Sequence, residues 1–228
     1  MTEDKKNHKE DQETVLVICA HNDDQIIGVG GTLAKYAKEG KQIITIIFSY
    51  GQKSHPHLQE EVIIKKRVRE SLSANKILGG EKSQIYYLGL EEGKFYEEFK
   101  QKKLLKKLKN IIKKSQPGKI FTHSIDDPHP DHRDVYRIVM ELFKTLDYKG
   151  DVYSFNVWNL FINFRKRNKP KLVVDVTDTF NEKIEAFKRH KSQVVQARLP
   201  LMWSLYFRAL LNGLLNGTKY VEIFYKIK

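Results

Sequence analysis

Short, mostly apolar runs alternate along the chain with longer segments of helical periodicity. The runs have the length of strands and lie at residues 15–19, 41–48, 84–88, 119–122, 151–155 and 171–176. The amphipathic segments predict helices near residues 26–38, 59–78, 99–114, 130–146 and 178–190. Strands and helices that alternate in this way imply right-handed crossovers and a mainly parallel sheet. The pattern therefore predicts an α/β fold, a Rossmann-like three-layer sandwich.

Polar clusters follow two of these runs, at the points where the strands should end. The sequence Ala-His-Asn-Asp-Asp-Gln at residues 20–25 follows the first run, and a group rich in His and Asp spans residues 123–134. Ligands of parallel sheets bind beyond the carboxyl ends of strands, so both clusters are candidates for chemistry. The first cluster also has a purely structural interpretation. His21 could cap the next helix while Asp23 and Asp24 stabilise its positive N-terminal end.

The two clusters together contain the ligands that a zinc site needs. Pro130 disfavours helical dihedrals at His129 and suits a first helical turn, so His129 is predicted in the loop and His132 in the helix. Zinc favours imidazole and carboxylate donors, and a catalytic zinc site uses three protein ligands. His21, Asp24 and His132 would supply that set.

Both clusters also match, in chain order, the motifs of one family. The chain resembles the zinc-dependent N-acetylglucosaminyl deacetylases, the LmbE-like or PIG-L-like superfamily, whose motifs are Ala-His-Pro-Asp-Asp-Glu and, after an Asp-Pro, His-Pro-Asp-His. Residues 127–132 match the second motif throughout, whereas Asn22 and Gln25 depart from the first. Further partial matches to the family pattern lie at Arg67-x-x-Glu70, Lys183 to Gln193 and Tyr220-x-Glu222-x-Phe224. Since neither departure falls on a ligand of the family pattern, they concern loop rigidity or rate more than zinc binding.

The resemblance implies hydrolysis of the acetyl group from an N-acetylated amino sugar, a conjugate of the N-acetylglucosamine type. One zinc ion per chain, replaceable by another divalent metal, would be bound by His21, Asp24 and His132. Asp23 would be the general base toward the metal-activated water, and His129 would stabilise the oxyanion or protonate the leaving amine. Asp131 would favour the charged form of His129 and fix its tautomer.

The resemblance also implies three contacts with the sugar, from Arg67, Glu92 and His190. Each has a structural alternative or a departure from the family. Arg67 could form only an exposed pair with Glu70, and a His at a helix end, such as His190, often interacts with the helix dipole. Glu92 is one methylene longer than the Asp usual at its place.

Other readings of the same residues remain open at this point. The six Asp residues listed below could hold two metal ions in a phosphoesterase, and the chain could instead be a non-catalytic polyanion-binding protein. The glycines at 28, 30 and 31 lack the third small residue of a dinucleotide fingerprint and follow an acidic loop, so close helix packing explains them better. His55 and His57 are either further metal ligands or surface residues. The Asp residues are Asp23, Asp24, Asp126, Asp127, Asp131 and Asp134.

Length and composition predict one domain rather than two. The 228 residues are 40% hydrophobic and show no linker or repeat, so we expect a polar tail at residues 1–13 and a single domain at 14–228. The lone Cys19 lies in an apolar run and excludes an internal disulfide. The tail lacks the apolar core of a signal peptide, and Arg208 interrupts the best candidate for a membrane span at 199–215. The protein is expected in the cytoplasm.

The chain carries a formal charge of +13, which attracts polyanions. The basic positions include residues 65–69, the helix predicted at 99–114 and the cluster 165–169. A solvated lysine-rich face explains them most simply, and no specific nucleic acid is expected because no recognition motif with interleaved aromatic residues accompanies the charge. Together with the apolar segment 199–215, however, the charge allows peripheral contact with an anionic membrane. The sequence selects neither the aglycone nor the oligomeric state.

Overall fold

The computed structural model describes residues 13–54, 59–158, 169–192 and 195–228, and it describes no side chain at positions 54 and 195–198. Several sequence predictions therefore concern positions outside the described residues. These are residues 1–12 of the tail, His55, His57, residues 165–168 of the basic cluster, and Gln193.

The described part of the chain forms seven strands and seven α-helices. The strands are β1 (Thr14–Cys19), β2 (Gln42–Ile47), β3 (Gln84–Tyr87), β4 (Lys119–His123), β5 (Asp151–Phe155), β6 (Lys171–Asp175) and β7 (Val221–Lys226). The helices are α1 (Asp24–Lys38), α2 (Glu60–Gly79), α3 (Phe95–Gln101), α4 (Leu105–Ser115), α5 (Pro130–Thr145), α6 (Phe180–Lys188) and α7 (Val195–Leu215). Short 3-10 turns at Gln52–Ser54 and Thr177–Thr179 complete the elements. The predicted α/β class is confirmed.

The strands form one sheet in the order β3-β2-β1-β4-β5-β7-β6. β1 to β5 pair in parallel, whereas β7 runs antiparallel to both β5 and β6. The chain moves outward from β1 through β2 to β3 and then returns to place β4 on the other side of β1. The strand order thus reverses between β1 and β4, and their carboxyl ends form the crevice in which open α/β sheets bind ligands.

Two apolar cores lie on the two faces of the sheet, which makes the fold a three-layer sandwich. β1 shows the division: Val15, Val17 and Cys19 pack in the core beneath α1, α6 and α7, while Leu16 and Ile18 pack in the core with α3, α4 and α5. All five of these side chains are fully buried. A strand buried on both faces must be apolar at every position, which explains the uninterrupted run in the sequence.

The helix predicted at 99–114 is wrong as a single element. The structure ends α3 at Gln101 and begins α4 at Leu105, with Lys103 between them at a left-handed φ of 49°. The turn lets Phe99 of α3 stack on Phe48 while Leu108 of α4 reaches the same core. The helical periodicity runs through the break because both helices present an apolar face to one core.

A buried ion pair accounts for two residues of the further family matches, Lys183 and Glu222. Lys183 Nζ of α6 lies 2.6 Å from Glu222 Oε1 of β7, and both side chains are almost fully buried. Glu222 also accepts hydrogen bonds from the backbone N–H groups of Gly31 and Thr32 in α1. The pair therefore ties α1, α6 and β7 together, and loss of one partner would leave an uncompensated buried charge, a change that typically costs about 3–5 kcal/mol.

Among the helices that the structure describes, none combines the length and the apolar content that a membrane span requires. This includes α7, whose segment 199–215 was the best candidate in the sequence.

Candidate metal centre

The predicted metal ligands converge at the crevice between β1 and β4. His21 follows β1, Asp24 begins α1, and His132 lies in the first turn of α5, after β4. His21 Nδ1 lies 3.3 Å from Asp24 Oδ2 and 3.4 Å from His132 Nε2, and His132 Nε2 lies 3.4 Å from Asp24 Oδ1. The structure thus brings together two imidazoles and one carboxylate that could hold a metal ion.

These separations fit a zinc ion. Ligand atoms arranged tetrahedrally at about 2.0–2.1 Å from zinc lie about 3.3–3.4 Å from one another. In the cluster, the two imidazole nitrogens are 3.4 Å apart, Asp24 Oδ2 lies 3.3 Å from His21 Nδ1, and Asp24 Oδ1 lies 3.4 Å from His132 Nε2. The donor set and its spacing therefore suit the metal that the resemblance implies.

Each imidazole of the cluster has a carboxylate behind it. His132 Nδ1 lies 2.9 Å from Asp127 Oδ1, and His21 Nε2 lies 3.2 Å from Asp131 Oδ2. Such outer carboxylates fix the tautomer and the ring orientation of a metal-binding His. The other two ring nitrogens, His21 Nδ1 and His132 Nε2, lie close to each other and to the Asp24 carboxylate.

The partner of Asp131 differs from the one expected from the sequence. Its carboxylate contacts His21 and accepts a hydrogen bond from the backbone N–H of Gly93, whereas only its backbone N–H contacts His129, at Nδ1. Burial and the nearby His21 and His132 lower the pKa of His129, against the weaker opposing effect of Asp131. The neutral form of His129 is thus favoured, and its tautomer is set by the backbone, because a nitrogen that accepts a hydrogen bond carries no proton.

Two further residues of the cluster were missed as site residues. Asp127 was considered only as a ligand of a second metal, yet its Oδ2 is also held by the backbone N–H groups of Val157 and Trp158. His123, the last residue of β4, is fully buried with Nε2 3.2 Å from Asp24 Oδ2. The sequence contains signals for both, since Asp127 belongs to the Asp-Pro before the His-Pro-Asp-His motif and His123 follows a predicted strand.

The cluster is electrostatically suited to a cation. Burial acts to lower the pKa of His21, but the Asp24 and Asp131 carboxylates outweigh it and raise the pKa to about 10. His132 behaves in the same way beside Asp24 and Asp127, with a pKa of about 9. Burial alone would raise the pKa of Asp24, but the surrounding imidazoles hold it well below its usual range. In the metal-free protein, protons on His21 and His132 therefore supply the positive charge that a bound metal ion would supply beside these carboxylates.

Asp23 pairs with Arg67, although it is adjacent to the candidate ligand Asp24. Its Oδ1 lies 3.8 Å from Arg67 Nη2, and both side chains are buried. Burial raises the pKa of Asp23, while Arg67 opposes the shift. Arg67 comes so close to Gly51 that a Cβ atom there would lie 2.4 Å from Arg67 Nε, so Gly51, at a φ of +78°, must lack a side chain. Arg67 is thus a buried partner of Asp23 rather than half of an exposed pair with Glu70.

The other two predicted sugar contacts surround the same crevice. Glu92 Oε1 lies 3.8 Å from His21 Nε2, and its Oε2 accepts a hydrogen bond from the backbone N–H of Lys53. His190 follows α6, is fully buried, and finds no hydrogen-bond partner for either ring nitrogen within the described ranges. Burial and Arg67 lower the pKa of His190 to about 3, so the ring is neutral. A neutral ring with two unsatisfied nitrogens is suited to binding a polar ligand.

The two departures from the family motif are structural. Gln25 Nε2 donates to the backbone carbonyl of Asn22 at 3.0 Å, which closes the loop between β1 and α1. Asn22 is fully buried, and its Nδ2 donates to the hydroxyl of Tyr87 at 3.4 Å. These hydrogen bonds stabilise the loop. Neither side chain contacts the metal cluster through a described hydrogen bond.

Comparison with known proteins places these residues in a family context. The family model described as PIG-L, GlcNAc-PI de-N-acetylase, matches residues 16–143, which include both motifs. Diacetylchitobiose deacetylase of Thermococcus kodakarensis is 27% identical over 232 residues, which cover 93% of this chain and 82% of the relative. Both predicted motifs thus lie within a recognised family region.

Solved structures show the same fold over almost the whole chain. N,N'-diacetylchitobiose deacetylase of Pyrococcus horikoshii, solved with its inhibitor, superposes with a TM-score of 0.77 at 24% identity, over 97% of this chain and 86% of the other. The 4-carboxy-2-hydroxymuconate hydratase of Pseudomonas putida superposes with a TM-score of 0.79 at 19% identity, over 95% and 97%. At these identities the likeness establishes the architecture, which more than one chemistry uses.

Proposed function

Because the chain belongs to the PIG-L family of GlcNAc-PI de-N-acetylases, we propose that it hydrolyses the acetyl group from an N-acetylated amino sugar and uses zinc as its metal. The diacetylchitobiose deacetylase relative, which the chain matches over most of both lengths, supports this reaction and this class of substrate. It also agrees with the amidohydrolase class predicted from the sequence. The phosphoesterase and polyanion-binding alternatives are not favoured by these relatives.

The observation that carries the proposal is the triangle of His21, Asp24 and His132. The two imidazole nitrogens lie 3.4 Å apart, each lies 3.3–3.4 Å from one of the two Asp24 oxygens, and the donors are those that zinc prefers. When bound there, zinc would lower the pKa of water toward about 7 and polarise the amide carbonyl. Asp127 and Asp131 hold the two imidazoles in the orientation that this role needs.

The adjacent side chains would move the protons of the reaction. Asp23, whose pKa is raised by burial, would take a proton from the attacking water as general base. His129 lies beside His21 and His132, with ring centroids 5.0 and 4.6 Å away. Its Nδ1 accepts from the backbone, so Nε2 carries the proton and would donate a hydrogen bond to the developing oxyanion. Because the neutral ring is favoured, we assign His129 to oxyanion stabilisation, and Asp23 would pass the proton that it takes from the water on to the leaving amine.

The buried polar groups around the crevice would recognise the sugar. Arg67 Nε and both ring nitrogens of His190 are buried and lack hydrogen-bond partners in the described part of the molecule. The Glu92 carboxylate is half-buried and could accept hydrogen bonds from sugar hydroxyls. Unsatisfied buried donors and acceptors favour a ligand that pairs with them, which is the basis of this assignment. The cytoplasmic location and the single-domain organisation stay predictions.

The direct test is release of acetate from a series of N-acetylated glycosides. The protein is stripped of metal with a chelator, dialysed, and assayed with and without one equivalent of zinc. We expect acetate release only after zinc is restored, and only from substrates with an N-acetylated amino sugar. Turnover of phosphate esters without acetate release, or activity unaffected by complete removal of metal, would contradict the proposal.

Zinc affinity should strengthen as the pH rises from 6 to 8. Zinc needs neutral imidazoles, whereas the pKa values of about 10 for His21 and about 9 for His132 keep them protonated in the metal-free protein at these pH values. Binding must therefore displace about one to two protons per ion, so affinity should rise by about 10- to 100-fold per pH unit. Calorimetry in buffers of different ionisation enthalpy measures the proton release. An affinity independent of pH would show that the ion binds elsewhere.

A further inference from the structure

Helix α7 has an outer face that is apolar and exposed. Its inner face, with Leu201, Leu205 and Ala209, is packed in the core at exposures of 1–3%. The outer face carries six large apolar residues at helical spacing, all of them exposed. These are Leu199, Trp203, Tyr206, Phe207, Leu210 and Leu214, with Trp203 at 75% and Leu214 at 70% exposure. A helix that is apolar on all sides normally has all sides buried, so the outer face lacks an environment that suits it.

The charged residues that neighbour this face in the sequence are mostly basic, although Lys188 pairs with Glu185 at 2.7 Å. Between Glu185 and Glu222 the chain contains six basic residues and no acidic one. Lys188, Arg189 and Lys191 are exposed before the helix, and Lys219 is exposed after it. Arg208, within the helix, turns inward and donates to the backbone carbonyl of Asn156 at 3.0 Å. The six described residues of the outer face therefore carry no charge, and exposed cations precede and follow the helix in the chain.

We infer that the outer face of α7 binds an anionic lipid surface and lies in the plane of the interface. An apolar helix face with Trp, Phe and Leu, flanked by cations, combines insertion among the acyl chains with attraction to acidic headgroups. A second copy of this chain is the less suitable occupant, because two chains of charge +13 repel each other and would bring the same cationic flanks together. An anionic bilayer offers acyl chains to the apolar face and acidic headgroups to the cations.

The position of α7 connects this surface to the crevice. Ser192, three residues before the helix begins, donates through its backbone N–H to Glu70 Oε1 at 2.9 Å. Glu70 lies one helical turn from Arg67 on α2, and His190 lies two residues before Ser192. The docked helix would thus hold the wall of the crevice near the lipid headgroups.

Binding to vesicles tests the surface without any turnover. Vesicles of equal parts phosphatidylcholine and phosphatidylglycerol should sediment the protein at low salt, whereas vesicles of phosphatidylcholine alone should bind it more weakly. The double variant Trp203→Gln, Phe207→Gln should weaken binding by about 10²-fold, since burial of each large apolar side chain is worth about tenfold or more. The matched control Val62→Gln, Leu72→Gln removes two exposed apolar residues of α2 and should bind like the unmodified chain.

Trp203 gives a second readout from the face itself. The chain has two tryptophans, so Trp158→Phe leaves Trp203 as the only tryptophan to be excited. Its fluorescence should shift to shorter wavelength when the anionic vesicles are added. Absence of both sedimentation and shift would overturn the inference, as would a dimer in analytical ultracentrifugation that the α7 double variant dissociates. Because neither readout uses catalysis, failure here is separate from failure to release acetate.

Discussion

Asp23→Asn is expected to lower kcat by roughly 10²–10⁴ while the protein keeps one metal ion per chain. The magnitude is that of a positioned general base, and Asn cannot accept the proton. The metal should stay because Asp23 faces Arg67, whereas Asp24 faces the imidazoles of the metal cluster. Steady-state acetate release and metal analysis on the same preparation measure both effects. Added zinc should not restore the lost activity.

Asp24→Asn is the contrasting variant for this experiment. It removes the charged ligand, so its activity should be lost together with the metal and should return in part with excess zinc. If instead Asp23→Asn lost the metal and Asp24→Asn kept it, the two roles would have to be exchanged. Adjacent carboxylates thus become distinguishable by a single pair of measurements.

The double variant His21→Ala, His132→Ala is expected to abolish stoichiometric metal binding. It removes two of the three donors whose separations define the site. The loss of affinity should exceed the roughly 10–100-fold that is typical when only an outer carboxylate is lost, which is the effect expected for Asp127→Asn. Inductively coupled plasma mass spectrometry after dialysis against a weak chelator gives the metal content of each variant.

Asp134→Asn supplies a matched control for this series. Asp134 belongs to the same His- and Asp-rich segment, but its carboxylate pairs with Arg137, 3.2 Å away along α5. It should retain a full equivalent of metal. A His21→Ala, His132→Ala protein that kept its metal would remove the proposed site, and loss of metal in Asp134→Asn would indicate that the variants act through folding. Thermal unfolding of all variants separates these cases.

The sequence by itself determined the fold class and the candidate chemistry because both are encoded locally. Short uninterrupted apolar runs such as residues 15–19 are typical of strands covered on both faces, and their alternation with amphipathic helices implies parallel pairing. His21 follows one such strand directly and His132 lies in the segment after another, beyond the carboxyl ends of strands where parallel sheets bind ligands. The resemblance added the activity, which the family match then supported.

Only the tertiary structure decided which side chains pair across the crevice. Asp131 is adjacent in sequence to His132 and near His129, yet its carboxylate contacts His21, 110 residues away. The reason is that α5 directs its first-turn side chains across the ends of the strands, toward the loop after β1. His123 likewise contacts Asp24 only because β4 lies beside β1 in the sheet. Contacts of this kind depend on strand order and helix direction, which local periodicity does not contain.

The turn at Lys103 and the exposed face of α7 likewise depend partly on the local sequence and partly on tertiary packing. The helical period of residues 99–114 was visible in the sequence, but the left-handed residue that divides it depends on how two helices reach one core. The apolar content of residues 199–215 was equally visible, whereas the packing of the sheet decided that Leu205 is buried and Trp203 is not. Periodicity and composition determine which elements form, and the packing of those elements determines which faces remain free to bind.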